Sequence, residues 1–239
     1  MRFCLCFGTF ALLLTPGVKA QSSEIVGKRW DFPRTKDSAG NAASRVESRD
    51  GLTNSKYLQK LEERIAAASG VPSVTTHLTL GAPWYAFLAP DRNLYISAGL
   101  IVRTSSEAQL AGIMAHLLAH SSSNKIDVDQ CVLGKGYVPT VEATARAREM
   151  RATQVALGYM KTARFDPASL LDGLSTVSYE HPAWASAINS MDLLKLRVPL
   201  DAEPMPREGY IVDSREYAAL RNDLIPIELL RMSVKPAAR

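Results

Sequence analysis

Residues 107–120, EAQLAGIMAHLLAH, decide the fold of this chain. Their apolar side chains occur on nearly every face of a helix, so the segment predicts a helix that is buried on most sides. His116 and His120 lie four residues apart, which places both imidazoles on one helix face, where they can bind the same metal ion. The alternative is a pair of structural histidines that donate to backbone carbonyls. Two imidazoles in so apolar a helix need polar partners, however, and one zinc ion satisfies both.

The residues before this helix predict a further helix and three short strands. The helix begins near Thr53 and ends at Gly70, with apolar residues along one face. Residues 74–80 alternate between apolar and polar side chains, as a half-buried strand does. The aromatic-rich run 84–88 and the run 94–96 predict two more strands, each preceded by turn residues.

The residues after the histidine-bearing helix predict mainly helix. A long helix is expected from about residue 141 to residue 163, and Pro167 opens a short one that reaches residue 174. Another is expected to follow His181-Pro182 and to end near residue 196, and a helical pattern recurs at residues 215–221. Together these elements predict an α+β fold, a mainly helical domain with a small β-sheet before the histidine-bearing helix.

Residues 93–120 resemble the core of the HtpX-like gluzincins, the zinc metallopeptidases of peptidase family forty-eight in the metallo class. That family carries a strand, a Gly-Leu turn, an acidic residue with a following leucine, and then Ala-His-Glu-x-x-His. The corresponding residues here are Gly99, Leu100, Glu107, Leu110, Ala115, His116 and His120. The resemblance covers about residues 54–195 and implies a zincin-like metallopeptidase domain.

The resemblance continues on the later helices. Family members carry Glu-x-x-Ala-Asp, then a Gly-Tyr-Asp-Pro-like break, and many then show a His-Pro pair. This chain reads Glu-Met-Arg-Ala-Thr at residues 149–153, Arg-Phe-Asp-Pro at residues 164–167 and His-Pro at residues 181–182. The combination is more specific than the two histidines alone.

The resemblance implies a zinc cofactor and a role for particular residues. His116, His120 and Glu149 match the three protein ligands of an open, catalytic type of zinc site. His181 is a candidate fourth ligand, with an ordinary helix-entry histidine as the alternative. The family pairs an extended peptide with the edge of a strand. Here that strand would be residues 94–97 or the strand that contains Trp84, Tyr85, Ala86 and Phe87.

Two positions depart from the family pattern. Leu117 stands where the family has the glutamate that takes a proton from zinc-bound water, and such acid–base help is worth roughly 10²–10⁴-fold in rate. Neither Glu107 nor Glu142 lies at a matching position. Thr153 stands where the family has an aspartate that supports a ligand, a loss that costs about 10–100-fold in metal affinity. The threonine keeps a hydroxyl, so part of that support is retained.

These residues favour a pseudopeptidase that keeps a zinc-type site, lacks the general base, and binds extended polypeptides or a partner protein. One alternative is an active zinc-dependent endopeptidase that uses another base, for which Glu149 would serve if it is not a ligand. The other alternative is a metal-free helical protein whose histidines are structural.

The chain divides into four segments. Residues 1–20 combine a positive start, a short apolar run and small residues at the cleavage position, as in a signal peptide. The alternative is an uncleaved anchor, although the apolar run is short for a bilayer. Residues 21–53 are a polar, flexible lead-in, residues 54–196 form the metallopeptidase-like domain, and residues 197–239 form a partly helical tail.

The signal peptide predicts export to the periplasm or to the extracellular medium. The formal net charge of +4 is too small to argue for a nucleic-acid partner. No stretch after residue 20 is long and apolar enough to be an integral membrane span in the mature chain. After cleavage Cys131 is the one remaining cysteine, so the mature fold has no internal disulfide and rests on its core.

Overall fold

The computed structural model describes residues 52–79, 84–88, 92–121, 132–134, 142–180, 182–185, 187–202 and 209–233. The predicted signal peptide and most of the predicted lead-in lie outside these ranges. The described helices are α1 (Leu52–Ser69), α2 (Ala98–Arg103), α3 (Glu107–His120), α4 (Glu142–Thr162), α5 (Pro167–Glu180), α6 (Pro182–Ala185), α7 (Ser190–Ala202) and α8 (Arg215–Ser233). The described strands are β1 (Thr75–Thr79), β2 (Tyr85–Leu88), β3 (Asn93–Ser97) and β4 (Val132–Gly134).

The four strands form one sheet in the order β1-β3-β2-β4. β1 runs parallel to β3, whereas β2 runs antiparallel to both β3 and β4. The three strands predicted from the sequence are confirmed, and the mainly helical α+β fold with them. β4 was not predicted, because three residues are too few to show a period-2 pattern.

The position of β2 corrects the prediction of a peptide-binding edge strand. Trp84 directly precedes β2, and Tyr85, Ala86 and Phe87 lie within it. These last three residues pair with Gly134, Leu133 and Val132 of β4 on one side, while β3 lies on the other side. The alternative strand, β3, is also internal, so in this state neither predicted strand presents a free pairing edge.

Helix α3 lies in the middle of the helical layer, as its apolar sequence predicts. Its residues from Glu107 to Ala119 are all buried except Gln109. The Ser106 side chain caps the helix by accepting from the Gln109 N–H at 3.2 Å. α3 packs against α1, α4 and α5.

Helices α3 and α5 approach each other closely at Gly112. A Cβ atom at this position would lie 2.8 Å from both the Cα and Cβ atoms of Leu170, which is closer than carbon atoms can approach. The absence of a side chain at Gly112 therefore lets the two helices pack at this distance.

The region after Pro182 differs from the single helix that was predicted. It contains the short α6 and then α7, which begins after Asn189. The Asn189 Oδ1 atom accepts from the Asp192 N–H at 3.0 Å, and the Asp192 Oδ2 atom accepts from the Asn189 N–H at 3.2 Å. This reciprocal capping box starts a new helix and interrupts the predicted one. In contrast, α5 is longer than predicted and continues to Glu180.

The C-terminal residues, predicted as a partly helical tail, contain α8 and pack on the domain. Tyr217, Leu220 and Leu224 of α8 are buried, and the helix contacts α1 and α2. The segment before it is tied to α3 by a hydrogen bond from the Ala108 N–H to the Val212 carbonyl at 3.0 Å. Among the described helices, none combines the length and hydropathy that crossing a bilayer requires.

Candidate metal centre

Three side chains from two helices converge at one point of the interior. The Nε2 atom of His116 lies 2.9 Å from the Oε2 atom of Glu149 and 3.2 Å from the Nε2 atom of His120. The His120 Nε2 atom lies 3.3 Å from the same Glu149 oxygen. Among the described residues, these three side chains form a group whose ligand atoms lie close enough together to hold one metal ion.

The triangle of ligand atoms has the size of one face of a zinc coordination tetrahedron. Nitrogen and oxygen ligands bind zinc at about 2.0–2.1 Å, which places two ligand atoms of a tetrahedral site roughly 3.3 Å apart. Two of the observed separations, 3.2 and 3.3 Å, match this value, and the third, 2.9 Å, is somewhat shorter. The fourth corner of the tetrahedron is not provided by these three side chains.

The two helices hold the three side chains in place through ordinary helix geometry. His116 and His120 are one turn apart near the C-terminus of α3, and Glu149 faces them from α4, which packs against α3. His116 is fully buried, Glu149 is 1% exposed, and the His120 side chain is 5% exposed. The structure therefore brings together all three of the ligands expected from the sequence.

A hydroxyl group on α4 fixes the tautomer of His116. The Thr153 hydroxyl donates to the Glu149 backbone carbonyl at 2.7 Å. Its oxygen then accepts from the Nδ1 atom of His116, 3.3 Å away, so that nitrogen carries the proton. With its own proton on Nδ1, His116 turns its Nε2 lone pair toward the carboxylate of Glu149 at 2.9 Å, so a cation, either a second proton or a metal ion, has to lie between or beside the two acceptors.

One buried polar atom at this site adds to the case for a bound ion. The Oε1 atom of Glu149 has no hydrogen-bond partner among the described residues. Native proteins leave few such groups without a partner, because each costs the free energy of its lost hydration. Glu149 therefore has spare acceptor capacity next to two imidazole lone pairs, and this donor set fits zinc.

The protonation states of the ligands also fit a metal. Burial lowers the pKa of His116, which favours its neutral imidazole. Burial alone would raise the pKa of the Glu149 carboxyl, but the neighbouring imidazoles of His120 and His116 outweigh it and hold the pKa at about 2. Neutral imidazole and ionised carboxylate are the forms that bind metal ions.

Leu117 follows the first histidine and is fully buried. Its side chain offers neither an acceptor for a proton nor a charge. Glu107, at the other end of α3, lies about 15 Å away along the helix axis. Its carboxylate accepts from the Tyr57 hydroxyl at 2.6 Å and is held there. The side chain of Glu142 lies outside the described residues.

The predicted fourth ligand, His181, also lies outside the described residues, so its role stays a prediction. The short helix α6 that follows it does reach the site. Trp184 of α6 is fully buried and lies edge-on to His116, with ring centroids 6.3 Å apart. The sequence carries no signal for this contact, because no periodic pattern links residue 184 to residue 116.

Comparison with known families agrees with this geometry. The sequence model of peptidase family M48 matches residues 53–136, which run from α1 to β4 and include both histidines. The match covers less than half of the chain and ends before Glu149. It supports a protein of the M48 metallopeptidase family, whose members depend on zinc. No curated protein gives a significant match to this chain.

Proposed function

We propose that this chain is an HtpX-like pseudopeptidase, a metallopeptidase scaffold that keeps its zinc site and has lost the general base. The observation that carries the proposal is Leu117, a fully buried leucine directly beside an intact three-ligand group. The proposed function is to bind extended polypeptides or a partner protein.

The division of roles follows from the contacts around the site. His116, His120 and Glu149 would hold the ion, and Thr153 would orient His116 from behind. When bound, zinc polarises a carbonyl oxygen and lowers the pKa of a bound water. Side chains carry out the proton transfer to and from the reacting groups, and this general acid–base catalysis raises the reaction rate roughly 10²–10⁴-fold. Leu117 removes that contribution.

An active endopeptidase would need another base. Glu149 is the one carboxylate that contacts the two histidines among the described residues, and it lies within 3.3 Å of both Nε2 atoms. A carboxylate in that position would serve as a ligand and would not be free to act as a base. This supports binding over catalysis as the main function.

The first test is the zinc content of the purified chain, prepared without added metal and measured by elemental analysis. The proposal expects about one zinc per chain, lost in His116→Ala and in Glu149→Gln, and a rise in melting temperature with zinc. If zinc is absent and neither added zinc nor a chelator changes the melting temperature, the protein is the metal-free alternative.

The second test separates a pseudopeptidase from an active enzyme. In the proposal, wild type cleaves an unfolded protein very slowly and Leu117→Glu raises the rate by roughly 10²-fold or more. Leu117→Gln is the matched control, because glutamine has nearly the same shape as glutamate but its amide does not take up the proton. If wild type is already active and Leu117→Glu adds nothing, another group acts as base.

We also propose export from the cytoplasm, on the pattern of residues 1–20. The mature protein would then be periplasmic or extracellular and would begin near Gln21. N-terminal sequencing of the protein recovered from cell fractions tests this. A full-length N-terminus in the cytoplasmic fraction contradicts export, and a full-length N-terminus in the membrane fraction indicates the uncleaved anchor.

A further inference from the structure

We propose that β4 is an internal stand-in for a bound polypeptide, which replaces β4 on β2. This inference rests on the proposed polypeptide-binding function and adds to it the segment that is displaced and a class of bound sequence. Three features of the sheet support it.

The first feature is that the opposite edge of the sheet is blocked. β1 is the edge strand there, and the side-chain amide of Gln59 in α1 occupies its backbone groups. The Gln59 Nε2 atom donates to the Val74 carbonyl at 3.1 Å, and its Oε1 atom accepts from the Thr76 N–H at 2.8 Å. These are the groups that an added strand would use. Glu62 accepts the Val74 N–H at 3.0 Å, so side chains of α1 block this edge over residues 74–76, at the start of β1.

The second feature is the way in which β4 pairs. β4 has three residues and runs antiparallel to β2, which is one of the arrangements that an extended peptide adopts when it adds to a sheet edge. Such a short strand makes few backbone hydrogen bonds, so a longer peptide can offer the same ones and more. β2 also packs against α3, the helix that carries the two histidines. A polypeptide paired with β2 would therefore lie beside the helix of the metal centre.

The third feature is the side-chain fit between the two strands. Leu133 is opposite Ala86, and the two side chains are 1% and 0% exposed. The small Ala86 leaves room for a large aliphatic side chain at the facing position. In the same register, Val132 is opposite Phe87, and Gly134 is opposite Tyr85. The sequence Val-Leu-Gly of β4 therefore indicates what the surface accepts, an extended segment with a large aliphatic residue opposite Ala86.

The test is to link β4 to β2 by a disulfide and to measure the binding of polypeptide probes. Phe87→Cys and Val132→Cys, which face each other, are introduced into a chain whose three native cysteines are replaced by serine. Two labelled probes are titrated by fluorescence anisotropy. One is a capped ten-residue peptide with Val-Leu-Gly at its centre, and the other is a reduced, carboxymethylated unfolded protein. Phe87→Cys alone, treated with the same oxidant, is the control.

We expect the reduced double variant to bind both probes and the oxidised one to bind each at least tenfold more weakly. The peptide with Val-Asp-Gly should bind at least tenfold more weakly than the Val-Leu-Gly peptide. Leu133→Ala, which loosens β4, should bind the Val-Leu-Gly peptide more tightly than wild type, and it serves as a second test if the disulfide does not form.

Two failures are distinguishable. If oxidised and reduced chains bind the unfolded protein equally, the polypeptide-binding function stands and the replacement of β4 is wrong. If neither the wild type nor any variant binds either probe, the polypeptide-binding function itself is wrong and this inference falls with it.

Discussion

The hydroxyl of Thr153 links two candidate ligands of the metal centre. Its oxygen lies 3.3 Å from the Nδ1 atom of His116, while its proton is donated to the backbone carbonyl of Glu149 at 2.7 Å. Because the proton goes to the carbonyl, the oxygen acts as the acceptor for His116. A neutral hydroxyl can thus set the ring orientation and tautomer of this histidine, a task that other metal sites give to a carboxylate.

Removing that hydroxyl should weaken metal binding without unfolding the protein. Thr153→Val keeps the shape of the side chain and leaves the Nδ1–H of His116 without an acceptor. We expect zinc affinity, measured by competition with a chelator, to fall about tenfold. Thr162→Val is the matched control, because Thr162 makes the same bond to the carbonyl four residues earlier, on the same helix but at an exposed position. Equal affinities in the two variants would show that Thr153 does not position His116.

A second prediction concerns the close contact between α3 and α5. Gly112→Ala places a Cβ atom 2.8 Å from the Leu170 backbone, so the helices have to move apart. We expect a loss of about 1–3 kcal/mol in the free energy of unfolding, measured by urea titration. Gly158→Ala is the control, since a Cβ atom there meets no atom within 4 Å, and it should raise stability by up to about 1 kcal/mol. If both variants are stabilised, the contact is not tight in solution.

The sequence predicts most of the elements around the metal centre, because their signals are local. The apolar run of α3, its Ser106 cap and the four-residue spacing of His116 and His120 all lie within one segment. Glu149 required the resemblance to a family, since no local signal marks one glutamate on a long helix as a ligand. The geometry then shows that the three side chains meet.

What the sequence does not predict arises from contacts between distant segments. Trp184 reaches His116 from another helix, and β4 pairs with β2 although it is only three residues long. The break between α6 and α7 did have a local signal, the Asn189 and Asp192 of a capping box, which the prediction of one helix overlooked. The prediction that residues 84–87 lie at an edge of the sheet was wrong for the same reason, because the strand that covers them, β4, was missed.

A third prediction tests how firmly the C-terminal helix α8 is attached. The Tyr217 hydroxyl is buried and lies 2.8 Å from the Thr104 carbonyl and 2.9 Å from the Thr104 hydroxyl, at the end of α2. Tyr217→Phe removes these bonds and should cost about 1–2 kcal/mol of unfolding free energy. Tyr179→Phe is the control, because Tyr179 is 88% exposed, and it should change stability by less than about 0.5 kcal/mol. Equal stabilities of the two variants would mean that the Tyr217 hydroxyl does not help to hold α8.

The last prediction concerns a buried acid far from the metal centre. Glu62 is fully buried and accepts from the Ser73 hydroxyl at 2.6 Å and from the Val74 N–H at 3.0 Å. Burial raises the pKa of its carboxyl, and although these two hydrogen bonds lower it, the pKa stays above the ordinary value of 4.5. An acid with a raised pKa binds its proton more tightly in the folded chain than in the unfolded one. Its contribution therefore favours folding at low pH and is lost as the pH rises through the raised value.

The measurement is a pair of stability curves between pH 4.5 and pH 8 at constant ionic strength, for wild type and Glu62→Gln. Because glutamine does not titrate, we expect the wild type to lose stability relative to this variant as the pH rises. Glu62→Ala, which leaves the Val74 N–H without its acceptor, should cost about 1–3 kcal/mol at every pH. A wild type that instead gains stability over Glu62→Gln with rising pH would mean that the hydrogen bonds from Ser73 and Val74 outweigh burial and that the pKa of Glu62 is lowered.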